Sequence, residues 1–428
     1  MKRLRKILKW IGITAGAAIA VLLLLNAYYV WSTGTQLERR LVALRRAGDP
    51  VQLADLAREP IPPEKNADTS LRRAADDLDS IQRELMALFP KTGVPVGTLS
   101  PAEREKLETL FASYPKVMPL LERAADCPDY DPQFDVTLSP SRFLEPFMER
   151  SSKHRALHRV LRARSALLLS QGRTDDALAT QVLALRLTRH WRREPLIFGY
   201  LITVACESVA MEGVNQALQA GPVSPTSRQA LDAELALHDS LEGLRWALRS
   251  ERAYSLSSVR QFPGSGFWLT RGFVNDLRLH LLELFDRHLE DASRPYAEVV
   301  SEKHVASRTR GGPNPYGALV TLLDPSLAAA REPAERLRAM SRSLRLLNAL
   351  QARVPPGGDR VPDLAELGLP AEATIDPYNR KPLNVKRLPQ GWMVYSVGKD
   401  GVDDGGKLDG KTDIGAGPIR PGESRKTP

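Results

Sequence analysis

The twenty residues Ile11–Val30 carry no charge, and this run constrains the chain more than any other feature. At 1.5 Å per residue, about 20 helical residues cross the roughly 30 Å hydrocarbon core of a bilayer. Lys2, Arg3, Arg5, Lys6 and Lys9 stand before the run; Trp10 marks one edge, and Tyr28, Tyr29 and Trp31 mark the other. Amphipathic aromatics gather at both membrane interfaces in this way. A secretory signal would have an apolar core of about 7–15 residues and a small-x-small cleavage site, which "LLNAYYVW" does not offer. Neither a lipobox cysteine nor a pseudopilin leader is present. The reading is an uncleaved transmembrane helix over residues 10–31 behind a cytoplasmic basic segment, 1–9. The positive-inside rule then places everything after the span outside the cytoplasm. Arg39, Arg40, Arg45 and Arg46, set against Glu38, soften that charge asymmetry. The expected location is a bacterial cytoplasmic (inner) membrane. A second apolar stretch, Leu196–Met211, is interrupted by Glu207 and reads as a buried core helix, so one pass is expected.

The remainder of the 428 residues reads as mainly α. Aromatics make up only 6% of the chain, and Ala, Leu and Arg, good helix formers, dominate its middle. The formal charge of +9 is spread along amphipathic helices with acids between. It therefore signals solvated faces, and without a nucleic-acid motif it gives no reason to invoke that partner. Residues 32–66 read as a juxtamembrane helix and linker, and 67–325 as an extracytoplasmic helical domain. Leu71, Ala74, Leu78, Ile81, Leu85 and Leu88 make one apolar stripe over 69–89. Ser100 and Glu103 make a capping box. Further helices are expected near 195–219, 225–240, 241–261, 267–291 and 326–352. His154–Pro195 reads as a helical hairpin broken at Gly172, with Thr174 or Asp175 as the next cap. It resembles one tetratricopeptide unit, but a solenoid needs about three repeats and no further copy is found. An irregular bundle is expected.

Catalytic motifs are missing: no G-x-S-x-G, Walker A loop, Rossmann glycines or kinase signature. His154 and His158 keep the spacing of H-E-x-x-H, but Arg155 stands where the general base belongs, so interfacial histidines are expected. Asp129, Asp131 and Asp135 read as a loop between helices. Glu251 and Arg252 are expected on an exposed charged face. Cys127 and Cys206 leave both a disulfide and two free thiols open.

From about 326 the pattern changes to a helix, a turn at Asp376-Pro377, and strands at Asn384–Leu388 and Trp392–Val397. Met393, Tyr395 and Val397 fall on one face; Trp392, Val394 and Ser396 fall on the other. The loop that follows, "GKDGVDDGGKLDGKTD", holds Asp400, Asp403, Asp404, Asp409 and Asp413 among glycines. Calcium takes six to eight oxygens from carboxylates and carbonyls. Asp-Gly runs are also ordinary turns, and both readings stand. Residues 416–428 read as a disordered tail.

Asp376-Pro377, Pro382, "YSVGKDG" (Tyr395–Gly401), Gly405-Gly406 and Asp413-Ile414 resemble the globular end of type II secretion pseudopilins. The likeness covers about the last quarter of the chain. It implies a calcium loop, with Asp400 and Asp413 on the family's acidic positions and Lys411 where an acid is often found. As a whole the chain is similar to a group of bacterial single-pass membrane-anchored proteins that share "EKNA" (Glu64–Ala67), "ALLLSQGRTDDAL", "RREP" and the same ending. This resemblance implies an architecture and no activity. The expected function is a scaffold or interaction module at the cell envelope, acting on a protein partner the sequence does not name. An envelope enzyme with a site in the helical domain, and an accessory part of a secretion or pilus-like system, are the alternatives.

Overall fold

The computed structural model of the chain describes residues 2–90, 99–262, 264–300, 317–354, 362–409 and 412–418. α1 runs without a break over Lys2–Arg46, roughly 68 Å at helical rise. Its apolar stretch is exposed on all sides, Leu22, Leu24 and Trp31 included. A single 3₁₀ turn (Leu53–Leu56) interrupts the linker.

α2 (Ala67–Leu88) opens where Asn66 Oδ1 accepts the Asp68 amide, and it buries Leu78, Ile81 and Leu85 along its stripe. α3 (Pro101–Ser113) starts on the expected Ser100/Glu103 capping box, and α4 (Val117–Asp126) follows. α5 already begins at Pro140 and runs to Ser170. Gly172, at φ +72°, makes the turn into α6 (Thr174–Trp191). Asp175 does not cap α6: its carboxylate accepts the amide and hydroxyl of Ser224.

α7 (Ile197–Ala220) is the second helix long and apolar enough to cross a membrane, but 67% of its apolar window is buried, whereas none of that of α1 is. α7 is thus the core helix, packed between α5 and α6, and α1 is compatible with a single membrane span. α8 (Pro225–Ala236) and α9 (Glu242–Arg260) complete that side of the bundle. α10 (Trp268–Asp291) packs parallel to α1. α11 spans Gly317–Ala329, and α12 (Arg331–Arg353) lies across α7 and α8.

The C-terminal strands are β1 (Asn384–Leu388), β2 (Gly391–Ser396) and β3 (Ile414–Ala416), antiparallel in the order β1-β2-β3. The third strand was not foreseen. It carries order to Ala416, past the expected start of the tail, and Gly417 is held there by both amide atoms of Asn215 on α7. Residues 419–428 lie outside the described residues. The two expected sheet faces are both covered. Trp392 and Val394 join the main helical core, while Met393 and Tyr395 pack under Leu408 of the Asp/Gly loop. No gap in the core separates 67–325 from the segment after it.

Glu251 and Arg252 correct the expectation of an exposed face. Arg252 is 1% exposed and pairs with Asp49 at 2.6 Å. Glu251 accepts the amide of Ile197 at 3.0 Å, capping α7. The linker and the start of α7 supply partners that no local pattern on α9 reveals.

Candidate functional site

The loop between α4 and α5 places a phenol in the middle of the bundle. Tyr130 is buried, and its hydroxyl donates to Glu194 Oε1 at 2.6 Å. It also accepts from Arg150 at 3.2 Å, and Arg150 reaches Asp68 Oδ1 at 2.7 Å. Asp68 receives Arg72 as well. Asn66 ties the two chain segments together: its Oδ1 accepts the amides of Asp68 and Asp131, and its Nδ2 donates to the Asp131 carbonyl. Four segments of the chain thus meet on one network: the start of α2, the loop between α4 and α5, α5, and the turn between α6 and α7.

His154 completes the group. Its ring stacks on Trp191 with centroids 3.7 Å apart, and its Nε2 lies 3.5 Å from Glu194 Oε1. Burial, then the Arg150 charge, holds the imidazole well below its usual pKa, so it is neutral at pH 7. The contact is therefore a neutral ring beside a carboxyl group. His158, one turn further along α5, also meets the Trp191 ring, tilted, with centroids 5.3 Å apart. The i, i+4 pair serves an indole, as interfacial histidines do.

Burial pushes the Glu194 carboxyl up to about 7, against the Tyr130 hydrogen bond and the Arg150 charge. Removing a carboxylate from water raises its pKa, and a donor or a cation lowers it; here desolvation wins. Burial opposes the charge on Arg150 too, but Tyr130, Asp68 and Glu194 keep it cationic. A carboxyl that titrates near neutrality can give or take a proton under ordinary conditions.

Two cavities border this network. One, of about 250 Å³, is walled by Phe134, Phe143, Trp246 and Pro60, with Tyr130 and Glu194 among its lining. The other, of about 300 Å³, is lined by Asp68, Arg150, His154 and Trp191 with Leu71 and Leu157. Two non-glycine residues adjoining the network take positive φ: Gln133 at 57° and Leu196 at 73°. Such positions cost about 1–3 kcal/mol each, and they cluster at functional sites. Asp131 accepts the Gln133 amide, and Ser250 accepts the Leu196 amide, holding both in place.

A second buried network has a plainer role. Arg192 grips both oxygens of Glu207 at 2.6 and 2.8 Å, and His238 bridges Glu207 and Glu234. Burial disfavours the Glu207 charge, yet Arg192 and His238 override it and hold its pKa at about 2. It ties α6, α7 and α8.

The C-terminal carboxylates are occupied locally. Asp400 accepts the Val402 amide and Asp403 the Gly405 amide. Asp403 also accepts the Tyr395 hydroxyl, and Asp409 accepts Thr412. Asp413, 1% exposed, takes the amides of Gly406 and Lys407 on one oxygen, while its Oδ1 has no hydrogen-bond partner. Asp404 is exposed, and Lys411 lies outside the described residues. Among the described residues no three His, Cys, Asp or Glu side chains are arranged to hold a metal ion. Cys127 and Cys206 are both free thiols.

Sequence reasoning missed the Glu194 network. Its members come from stretches read as linker, turn and helix end. The available signals were "EKNA", which holds Asn66, and "RREP", which holds Glu194; both belong to the resemblance to membrane-anchored proteins. Nothing local marked Tyr130. Comparison of the chain with protein-family models, with curated proteins and with solved structures finds no match.

Proposed function

We propose that this is a single-pass protein of the bacterial inner membrane, with its N-terminus inside and its helical body outside. Its function on this reading is that of a binding scaffold at the cell envelope. The observation that carries it is the pair of cavities flanking the Tyr130–Glu194–Arg150–Asp68 network. Each joins an apolar wall to a few fixed polar groups, which is the usual make-up of a ligand site. The cavity beside Phe134 suits a small ligand or a peptide side chain with an apolar body and a hydrogen-bonding head.

The test is photo-cross-linking from position 134 in the membranes of the host, with and without Glu194→Gln. A specific adduct that the substitution removes supports the reading. Absence of any adduct, or one indifferent to Glu194, sinks it. For topology, reporters are fused after Gly34 and at the C-terminus; cytoplasmic activity of the second defeats the orientation.

One observation favours the enzyme reading. Glu194, poised near pH 7, faces neutral His154 at the wall between the cavities, an arrangement able to relay a proton. Turnover of envelope esters, peptides or glycans that Glu194→Gln abolishes without loss of folding would favour it. The pseudopilin likeness supports the accessory-component reading, and a pull-down free of secretion components would remove that one.

A further inference from the structure

The groove between α1 and α10, just beyond the span, gathers four guanidinium groups against a single lining carboxylate, Glu38. α10 runs parallel to α1 with its first turn at membrane level. The Trp268 carbonyl accepts Asn26 Nδ2 at 3.4 Å, Tyr29 donates to Asp276 at 3.0 Å, and Arg40 pairs with Asp286 higher up. Gly272 permits this approach: a Cβ there would sit 2.5 Å from the Tyr29 ring. Above that contact lies a groove of about 820 Å³, walled by Val30, Trp31 and Leu37 and bearing Arg39, Arg46, Arg271 and Arg278.

Arginines elsewhere are used. On α12, Arg331, Arg338, Arg342 and Arg345 all pair with carboxylates. In the groove, Arg39, Arg46, Arg271 and Arg278 form no ion pair among the described residues. Nε of Arg278 is buried with no hydrogen-bond partner. The one carboxylate there, Glu38, faces Arg45 at 3.5 Å. Clustered guanidinium groups repel one another, and an anion that joins them relieves the repulsion and accepts their hydrogen bonds.

The apolar side of the same corner is equally unpartnered. Phe267, Trp268 and Phe273 are exposed by 53%, 45% and 53%. They stand level with Tyr29, whose ring meets Phe273 edge-on at 5.5 Å. Exposed aromatics at the depth of a span's aromatic belt belong in the bilayer interface.

We infer that the α1–α10 corner is a binding site for an anionic glycerophospholipid. The phosphate sits between Arg271, Arg278 and Arg39, and the acyl chains lie against Val30 and the α10 aromatics. Arg46 extends the positive field toward the headgroup. The body of the protein is thereby held down on the membrane surface rather than swinging on a tether. The inference rests on the reading of α1 as a membrane span.

The experiment uses the full chain in nanodiscs of phosphatidylcholine with phosphatidylglycerol, followed by release and native mass spectrometry of retained lipid. Wild type is expected to keep phosphatidylglycerol selectively. R271Q/R278Q is expected to keep about tenfold less, since each arginine near an anionic surface contributes attraction of its own. Melting in discs of phosphatidylcholine alone should be as high for R271Q/R278Q as for wild type, because neither arginine is in an ion pair among the described residues. Added phosphatidylglycerol should raise it for wild type only. A variant less stable in phosphatidylcholine and equal in lipid retention would overturn the site in favour of a structural role. Displacement by inorganic phosphate alone would overturn it in favour of a soluble anion. Lipid-free dimers joined through Trp268 would overturn it in favour of a second copy of the chain. Insertion without headgroup selectivity defeats this inference only. Failure to insert at all defeats the span, and the inference with it.

Discussion

Glu194 shows how one side chain can couple the fold to pH. Its pKa is raised in the folded state, to about 7. A raised carboxyl contributes stability that is fully present below the unfolded value, near 4.5, and is lost as pH rises through about 7. The full effect is about 3 kcal/mol. Wild type is therefore expected to melt at progressively lower temperature between pH 5 and 8. Glu194→Gln should flatten that slope, read by thermal unfolding across the range. Glu207 works in the opposite sense. Its lowered pKa contributes stability above the unfolded value, and the loss comes only as pH falls toward about 2. Truncating Arg150 is a harsher change, because it strips the cation from buried Asp68 and the donor from Tyr130. Arg150→Met is expected to cost about 3–5 kcal/mol, the usual penalty for breaking a buried pair from one side, measured by chemical denaturation.

Elements meet here through residues whose smallness or charge has no local meaning. The α1–α10 contact depends on Gly272, where any side chain would collide with the Tyr29 ring. Gly272→Val is expected to part the two helices and destabilise the body by about 1–3 kcal/mol, as overpacking does. A cross-link between cysteines placed at 26 and 268 would report the separation by failing to form. At the other end of the chain, Asp376 explains the Asp-Pro turn. It is 1% exposed, and it accepts from the Tyr378 amide, the Ser396 hydroxyl and the Val397 amide. The turn is pinned to the end of β2 by that single carboxylate. The Asp/Gly loop then folds back over Met393 and Tyr395 to deliver β3. Its aspartates hold backbone amides and its glycines supply positive φ, at Gly398, Gly401, Gly405 and Gly406 among others. With Asp400, Asp403 and Asp409 engaged by the loop's own groups, and no three-ligand cluster among the described residues, the loop is expected to show no rise in melting temperature at millimolar calcium. A rise that Asp413→Asn abolishes would restore the ion site.

At the scale of the molecule, the C-terminal strands and the helical body are one folding unit. Trp392, Val394 and Ala416 lie in the same core as Leu178, Val214 and Leu235. Arg338 and Arg342 of α12 both reach Asp239, and Arg345 reaches Asp232. A fragment of residues 333–428 is therefore expected to stay unfolded on its own, judged by amide exchange, and a chain cut before α12 to aggregate. An independently folded fragment would refute the shared core. The same unity links the α1–α10 corner to the Glu194 site: α10 packs on α9, and Trp246 of α9 lines the cavity beside Tyr130 and Glu194.

The sequence by itself determined what depends on neighbours along the chain. The long apolar helix at the N-terminus was legible because twenty consecutive uncharged residues make one unbroken apolar run. The stripe of α2, the Ser100 cap, the Gly172 turn and both faces of β2 were legible because caps, turns and helix and strand periods are local. Only the tertiary structure decided where charge is buried. Arg252 looked exposed until Asp49 arrived from the linker, and the tail looked loose until Asn215 reached Gly417. The Glu194 network could not be read because it is assembled from Asn66, Asp68, Tyr130, Arg150 and His154. Its chemistry comes from desolvation, and desolvation is a property of packing that no stretch of sequence carries alone.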